Sequence, residues 1–457
     1  MIKKFLSLSL ALSLVLSSVP FSYAEATALT ATPTNKGSLV IVGGALGSTN
    51  ESVYNKYIAL AGGKTNAKIG IIPAASGNLK SSNNFKKDLI GYGVPESQIK
   101  ILEIAVVDDS KTKDVDESKW IENANKVEMA TQIKDLNAIW FVGGDQTRIT
   151  KAMLKTDGSQ TLALKAIWEL YQNGGVIGGS SAGAAIMSNP MIAGGNSLGA
   201  INSGFTTKYV DENDQLNGPV YLEKGLGFFP YSIVDQHFDA RARLGRLTAA
   251  SWEYKKLSTK AYGVDENTAM IFNEATKLIE VAGAGGVTVI NVANAIKDNN
   301  LKQLAIKNVS LSFLSPGDQY NIETGKLTIS TSKDETNGYE YYDLRGPIVN
   351  TGVLSGYNTV KNFIAYNLID NAGAKEIKSY CFDDKGLGAE LIFSKTATTK
   401  GWWGYQSGNM DSYSADQVNF EIKPIQVTIK AITPASTTTK PVIKPVAKPV
   451  VLPAVKK

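Results

Sequence analysis

From about Ser38 onward, short β-branched runs alternate with amphipathic segments, the pattern of strands crossing to helices in a doubly wound, mostly parallel sheet flanked by helices. Four apolar runs end in turn residues: Leu39-Val40-Ile41-Val42 before Gly43-Gly44, Ile69-Gly70-Ile71-Ile72 before Pro73, Ala138 to Val142 before Gly143-Gly144, and Val176-Ile177 before Gly178-Gly179. Sheets of this kind gather ligands where strand ends meet helix starts, so the chemistry is sought at these four turns. Between them, the spacing predicts helices over Glu51 to Ala61, Asn84 to Gly91, Glu117 to Leu136 and Thr161 to Gln172. After about Ile290 the pattern shortens to alternating segments such as Lys326 to Ser330 and Gln426 to Ile432, which predicts a β-rich accessory region. The last stretch carries Pro441, Pro445, Pro449 and Pro453 at four-residue intervals among lysines and valines, a composition that stays extended and solvated.

The amino terminus reads differently. Lys3 and Lys4 precede a largely apolar run from Phe5 to Leu16, and Ser22-Tyr23-Ala24 follows with small residues where a signal peptidase reads. The expected organisation is therefore a signal peptide over 1–24, a linker over 25–37, an α/β domain over 38–290, the accessory region over 291–432 and a Lys/Pro-rich tail over 433–457. The expected location is secreted, with no membrane span, because no later segment approaches about 20 unbroken apolar residues. The formal charge of +5 falls to +3 without Lys3 and Lys4, and the five lysines of the segment from Ala431 to Lys457 leave the remaining body at −2. That balance does not support a broad basic surface for nucleic acid. One cysteine, Cys381, permits no disulfide within the chain. With one histidine and one cysteine the chain offers no typical zinc set, and no phosphate loop appears, so no metal or cofactor is expected.

Gly179-Ser180-Ser181-Ala182-Gly183 fits G-x-S-x-G, with a strand before it and the helical Ala184 to Ser188 after it. Small residues alone would make such a turn a packing device; the strand and helix on either side favour Ser181 as a nucleophile, with the Ala182 amide placed to stabilise an oxyanion. His237 is the one histidine of the chain, so if Ser181 has an imidazole partner it is this residue. Arg241, Arg243 and Arg246 follow, in a predicted helix from Ala240 to Glu253 capped by Asp239. Cations at a helix start oppose its dipole, so they point either to an anionic or carbonyl-rich ligand or to salt bridges with Asp235, Asp239 or Glu253.

Taken in order, Gly143-Gly144-Asp145-Gln146, Gly178 to Ala184, Asp235-Gln236-His237-Phe238 with the three arginines, and Val264-Asp265-Glu266-Asn267-Thr268-Ala269 resemble the motifs of cyanophycinase, in the serine peptidase family that also contains aspartyl dipeptidase. The resemblance runs over roughly Ser38 to Ile290. It implies hydrolysis of cyanophycin, a polyaspartate backbone bearing arginine, to β-aspartyl-arginine dipeptides. It also implies Ser181 as nucleophile, His237 as base, Gln146, Asp235, Gln236, Arg241, Arg243 and Arg246 around the substrate, Asp235 meeting its guanidinium, and a Gly143-Gly144 amide, Gly144, completing the oxyanion hole. Glu266 is the choice for the acid that orients His237, with Asp211, Glu212 and Asp214 as alternatives, since Met191 to Gly204 holds no carboxylate. Two other functions stay open: an exported aspartyl or isoaspartyl peptidase, and a non-catalytic cell-surface binding protein on a peptidase scaffold. The partners expected are a polymeric acidic peptide and a second copy of the chain in a homodimer, with the tail either touching anionic wall polymers or serving as a plain linker.

Overall fold

A computed structural model describes residues 37–209, 216–354, 359–406, 408 and 410–431. The expected signal peptide, nearly all of the linker, the Lys/Pro-rich tail, and Asp211, Glu212 and Asp214 lie outside the described residues.

Five strands, β1 (Ser38–Val42), β2 (Ile69–Ile72), β3 (Ile99–Ile101), β4 (Ala138–Phe141) and β5 (Val176–Ser180), lie parallel in the order β3-β2-β4-β5-β1. Every residue of β1, β2 and β4 is buried, which is why they read as unbroken apolar runs rather than as alternating ones. Side chains alternate between two cores: Leu39 and Ile41 pack on one face with Ile133, Ile149 and Leu164, and Val40 and Val42 on the other with Tyr57, Phe85 and Leu89. Helices therefore cover both faces, as a doubly wound sheet requires. Beyond β1 the sheet continues with four antiparallel strands, the first being Thr268–Asn273.

The helices Glu51–Leu60 and Leu162–Gln172 agree with the sequence pattern, the second capped by the Thr161 hydroxyl. The long helix expected over Glu117 to Leu136 divides instead into a 3₁₀ stretch, Glu117–Asn125, and an α-helix, Val127–Lys134, because Lys126 adopts an extended ψ of 140°. The segment from Gln426 onward is not a new strand; it is the end of a long one, Met410–Gln426.

The β-rich region does not stand apart from the α/β domain. Val287–Asn291 pairs with Ile306–Leu314 across the boundary expected at residue 290, within an eleven-stranded second sheet. That sheet begins at Ile233–Asp235, beside Lys260–Val264, and runs through to Leu387–Ser394 and Glu376–Phe382. A single core joins Leu247 and Ala250 to Leu311, Phe393 and Phe420. No helix among the described residues is long and apolar enough to cross a membrane.

Candidate active site

The turn after β5 places Ser181 at φ 55°, ψ −109°, a conformation that an L-residue holds only when its surroundings enforce it. The enforcement is visible. The Ser181 N–H donates to the Val42 carbonyl at 3.0 Å. The short helix Ala182–Ala185 starts so close to β4 that a Cβ on Gly183 would lie 2.2 Å from the Phe141 carbonyl oxygen. Of the Gly143-Gly144 turn, Gly143 faces the serine: a Cβ there would lie 3.2 Å from Ser181 Cβ. A Cβ on Gly144, the expected oxyanion donor, would lie 2.1 Å from the Ala75 carbonyl oxygen, so glycine is required there.

His237 follows the strand Ile233–Asp235 and also has a positive φ, 44°. Its Nε2 stands 2.8 Å from Ser181 Oγ and its Nδ1 stands 2.6 Å from Glu266 Oε1. With Nδ1–H donating to the carboxylate, Nε2 is left to accept the serine proton. Burial, and then the charge of Arg241, push the imidazole down to about 4 from its ordinary 6.5, against the opposing pull of Glu266. At neutral pH the ring is therefore uncharged and able to act as a base.

All three segments hang from the end of β1. Successive carbonyls of Val42, Gly43 and Gly44 accept from the N–H groups of Ser181, His237 and Asn267 at 3.0, 2.6 and 2.7 Å. Gly44 has φ +122°, and a Cβ on it would lie 2.2 Å from His237 Cε1, inside the ring's own space. This Gly-Gly turn does its work through backbone atoms, so the sequence marked its position but not its role.

The arginine cluster differs from expectation. The helix is Leu244–Glu253, with Arg243 at its N-cap position and making no side-chain cap bond, Arg246 in its first turn and Arg241 ahead of it. Asp239 is not its cap; its carboxylate accepts from the Val360 N–H at 3.2 Å. Arg246 grips Asp235 through two bonds, 2.8 Å from Nε and 2.6 Å from Nη2, and donates to the Gly195 carbonyl at 2.6 Å. Asp235 and Arg246 are each 1% exposed. Burial would raise Asp235, but Arg246 and Arg243 override it and hold the carboxyl below its ordinary range. Arg243 donates to the Gln236 carbonyl at 2.6 Å, and Gln146 to the Ala193 carbonyl at 2.7 Å. Asp235 is thus occupied by an internal guanidinium rather than a substrate's, and Gln146, Gln236, Arg243 and Arg246 are buried with it. Arg241 alone of the six expected substrate residues is exposed.

The model of peptidase family S51 matches residues 39–279, just over half of the chain. The chain belongs to peptidase family S51. A cyanophycinase of Synechococcus elongatus is 30% identical over 301 residues, 64% of this chain and 81% of that protein. A cyanophycinase of Geminocystis herdmanii is 30% identical over 296 residues, 63% of this chain and 95% of that one. A solved peptidase from an acI-B1 Actinobacterium covers 63% of this chain and 97% of its own, at 20% identity and a TM-score of 0.37. This S51 chain is accordingly a serine-type peptidase, similar to cyanophycinases. The S51 match spans Ser181, His237, Glu266 and the whole Gly43-Gly44 turn, and stops before most of the second sheet.

Proposed function

We propose that this S51 peptidase is an extracellular hydrolase that cleaves cyanophycin to β-aspartyl-arginine dipeptides, with Ser181 as nucleophile, His237 as general base and Glu266 orienting the imidazole. The observation that carries the reading is the continuous contact from Glu266 through an uncharged His237 to Ser181. In the reaction His237 Nε2 takes the Ser181 proton as Oγ attacks a backbone carbonyl carbon. The resulting oxyanion is stabilised by the Ala182 amide and the Gly143-Gly144 turn, and the imidazolium then protonates the departing amine. Water, deprotonated by His237, releases the acyl group from the serine.

The substrate is supported by the similarity to cyanophycinases over 64% of the chain and by the exposed Arg241 beside His237, suited to a substrate carboxylate such as the free carboxyl of a polymer-borne arginine. Export is supported by the amino-terminal sequence pattern alone. Because Arg243 and Arg246 are sealed inside, the cationic surface for a long acidic chain is smaller than three arginines would make it. That observation favours a second substrate class, short aspartyl or isoaspartyl peptides. One assay separates them: purified protein is incubated with insoluble cyanophycin and, separately, with isoaspartyl dipeptides, alongside Ser181→Ala. Dipeptide release from the polymer by wild type only is the expected result; cleavage of the short peptides alone would select the second class, and activity retained by Ser181→Ala would remove the assigned nucleophile.

A further inference from the structure

Beyond the residues matched by the S51 model, the strands Lys333–Glu335 and Lys400–Gln406 pair antiparallel, with Asp334 opposite Trp403. They wall a cavity of about 530 Å³. Around it stand Tyr339, Tyr341 and Tyr405, which are 87%, 83% and 56% exposed. Trp403 and Tyr405 meet edge to face with ring centres 4.9 Å apart, as do Tyr341 and Tyr342 at 5.0 Å, an arrangement that leaves ring faces open. So many large rings collected at one opening mark a binding surface rather than scattered exposure.

The charge of the cavity says what it takes. Asp334, Glu335, Asp370 and Asp411 line it, with no lysine or arginine among its described lining residues. Asp370 accepts from the Tyr413 hydroxyl and the Tyr341 N–H, both at 2.7 Å. Asp411 accepts from Trp403 Nε1 at 3.0 Å and from the Tyr366 hydroxyl at 3.1 Å. These donors are neutral, so the bonds fix the carboxylates without cancelling their charge; Glu335 is the one paired with a cation, Lys400 at 3.3 Å. Open ring faces beside uncompensated carboxylates suit a flat, weakly hydrated cation that stacks and donates at once, which describes a guanidinium better than a compact ammonium.

We propose that this cup binds the guanidinium side chains of an arginine-bearing chain and holds that chain beside the catalytic centre. A second cavity, of about 280 Å³, shares Asp411 and Tyr413 with the cup and reaches Glu266, the partner of His237. The cup therefore adjoins the Glu266 side of the catalytic centre, from a part of the chain the S51 match does not include. The link to catalysis rests on the arginine-bearing substrate proposed above; the affinity for guanidinium does not.

The test uses the full chain carrying Ser181→Ala, titrated at physiological ionic strength with fluorescent hexa-arginine, hexalysine and hexaglutamate peptides. Hexa-arginine binds most tightly. Its affinity falls about tenfold in Tyr339→Ala/Tyr405→Ala, the size of a lost pair of ring contacts, and falls again in Asp334→Asn/Glu335→Gln. Unchanged circular dichroism shows that each variant is folded, and the charge variant, which removes no packing volume, is the check on the aromatic one. In the chain with Ser181 intact, the same substitutions raise KM for the polymer and leave kcat unaltered. Equal binding of hexalysine, or hexa-arginine binding untouched by both double variants, overturns the proposal. If wild type releases no dipeptide while the binding results hold, the substrate assignment fails and the cup stands; if hydrolysis is normal and the binding results fail, the cup alone is lost.

Discussion

Gly44 is a single hydrogen atom's width from the imidazole it supports. Adding a methyl at Gly44 puts carbon 2.2 Å from His237 Cε1 and also forces an alanine to φ +122°, so the ring must leave its place between Ser181 and Glu266. Gly44→Ala is expected to lower kcat by about 10²-fold or more, since displacement of a general base by about 1 Å has that effect. His237 being the one histidine, its imidazole gives an unobstructed NMR signal whose shift reports the displacement directly. The same signal gives the titration. His237 is pushed down to about 4 by burial and by Arg241, so the acid limb of kcat/KM falls near pH 4 and not near 6.5. Folding lowers this group, so its contribution to stability is full above about 6.5 and drains away as pH falls towards 4. An acid limb centred near 6.5 would show that the buried, arginine-flanked environment does not persist in solution. Glu266→Gln keeps the shape but removes the charge that faces Nδ1, and a loss of about 10³- to 10⁴-fold in kcat is expected from the precedent of serine triads.

The serine turn and the lone histidine were legible because each is a local statement: a strand, a strained turn with glycines, a helix, and a residue type that occurs once. The arginines were not, because burial is a property of how elements meet. Asp235 ends one strand and Arg246 sits in the first turn of the next helix, and only their packing shows that the pair bolts the strand Ile233–Asp235 to the helix Leu244–Glu253. That reading separates two arginines by experiment. Arg246→Ala leaves the Asp235 carboxylate buried without its main partner and is expected to cost about 3–5 kcal/mol, read as a lower denaturant midpoint with an unchanged slope. Arg241→Ala, at an exposed position, should move stability by no more than about 0.5 kcal/mol and act on KM instead. Equal stability losses in the two variants would contradict the division between an internal tie and a surface contact.

Across the whole molecule, the alternation of apolar runs and amphipathic segments was enough to place β1, β2, β4 and β5 and the helices Glu51–Leu60 and Leu162–Gln172, since those strands are buried and their signal is strong, whereas the short β3, with Lys100 exposed, gave no such run. Antiparallel strands with one solvated face carry a weaker signal, and their pairing across residue 290 carries none, because register between distant segments is set by the sheet they join. The boundary drawn from composition therefore fell inside a sheet. Truncation after Asn291 would strip Ile306–Leu314 from the edge of Val287–Asn291 and lay bare Leu247, Ala250 and Ile290, which share their core with Leu311, Phe393 and Phe420. An exposed strand edge beside an uncovered apolar face is an aggregation site. The shortened chain is expected to be insoluble or to elute as aggregate in size-exclusion chromatography, although it retains every residue placed around Ser181. A soluble, monodisperse truncation with wild-type melting behaviour would mean that the peptidase half folds independently, and the second sheet would then have to be regarded as an appended module rather than as part of the frame that holds His237.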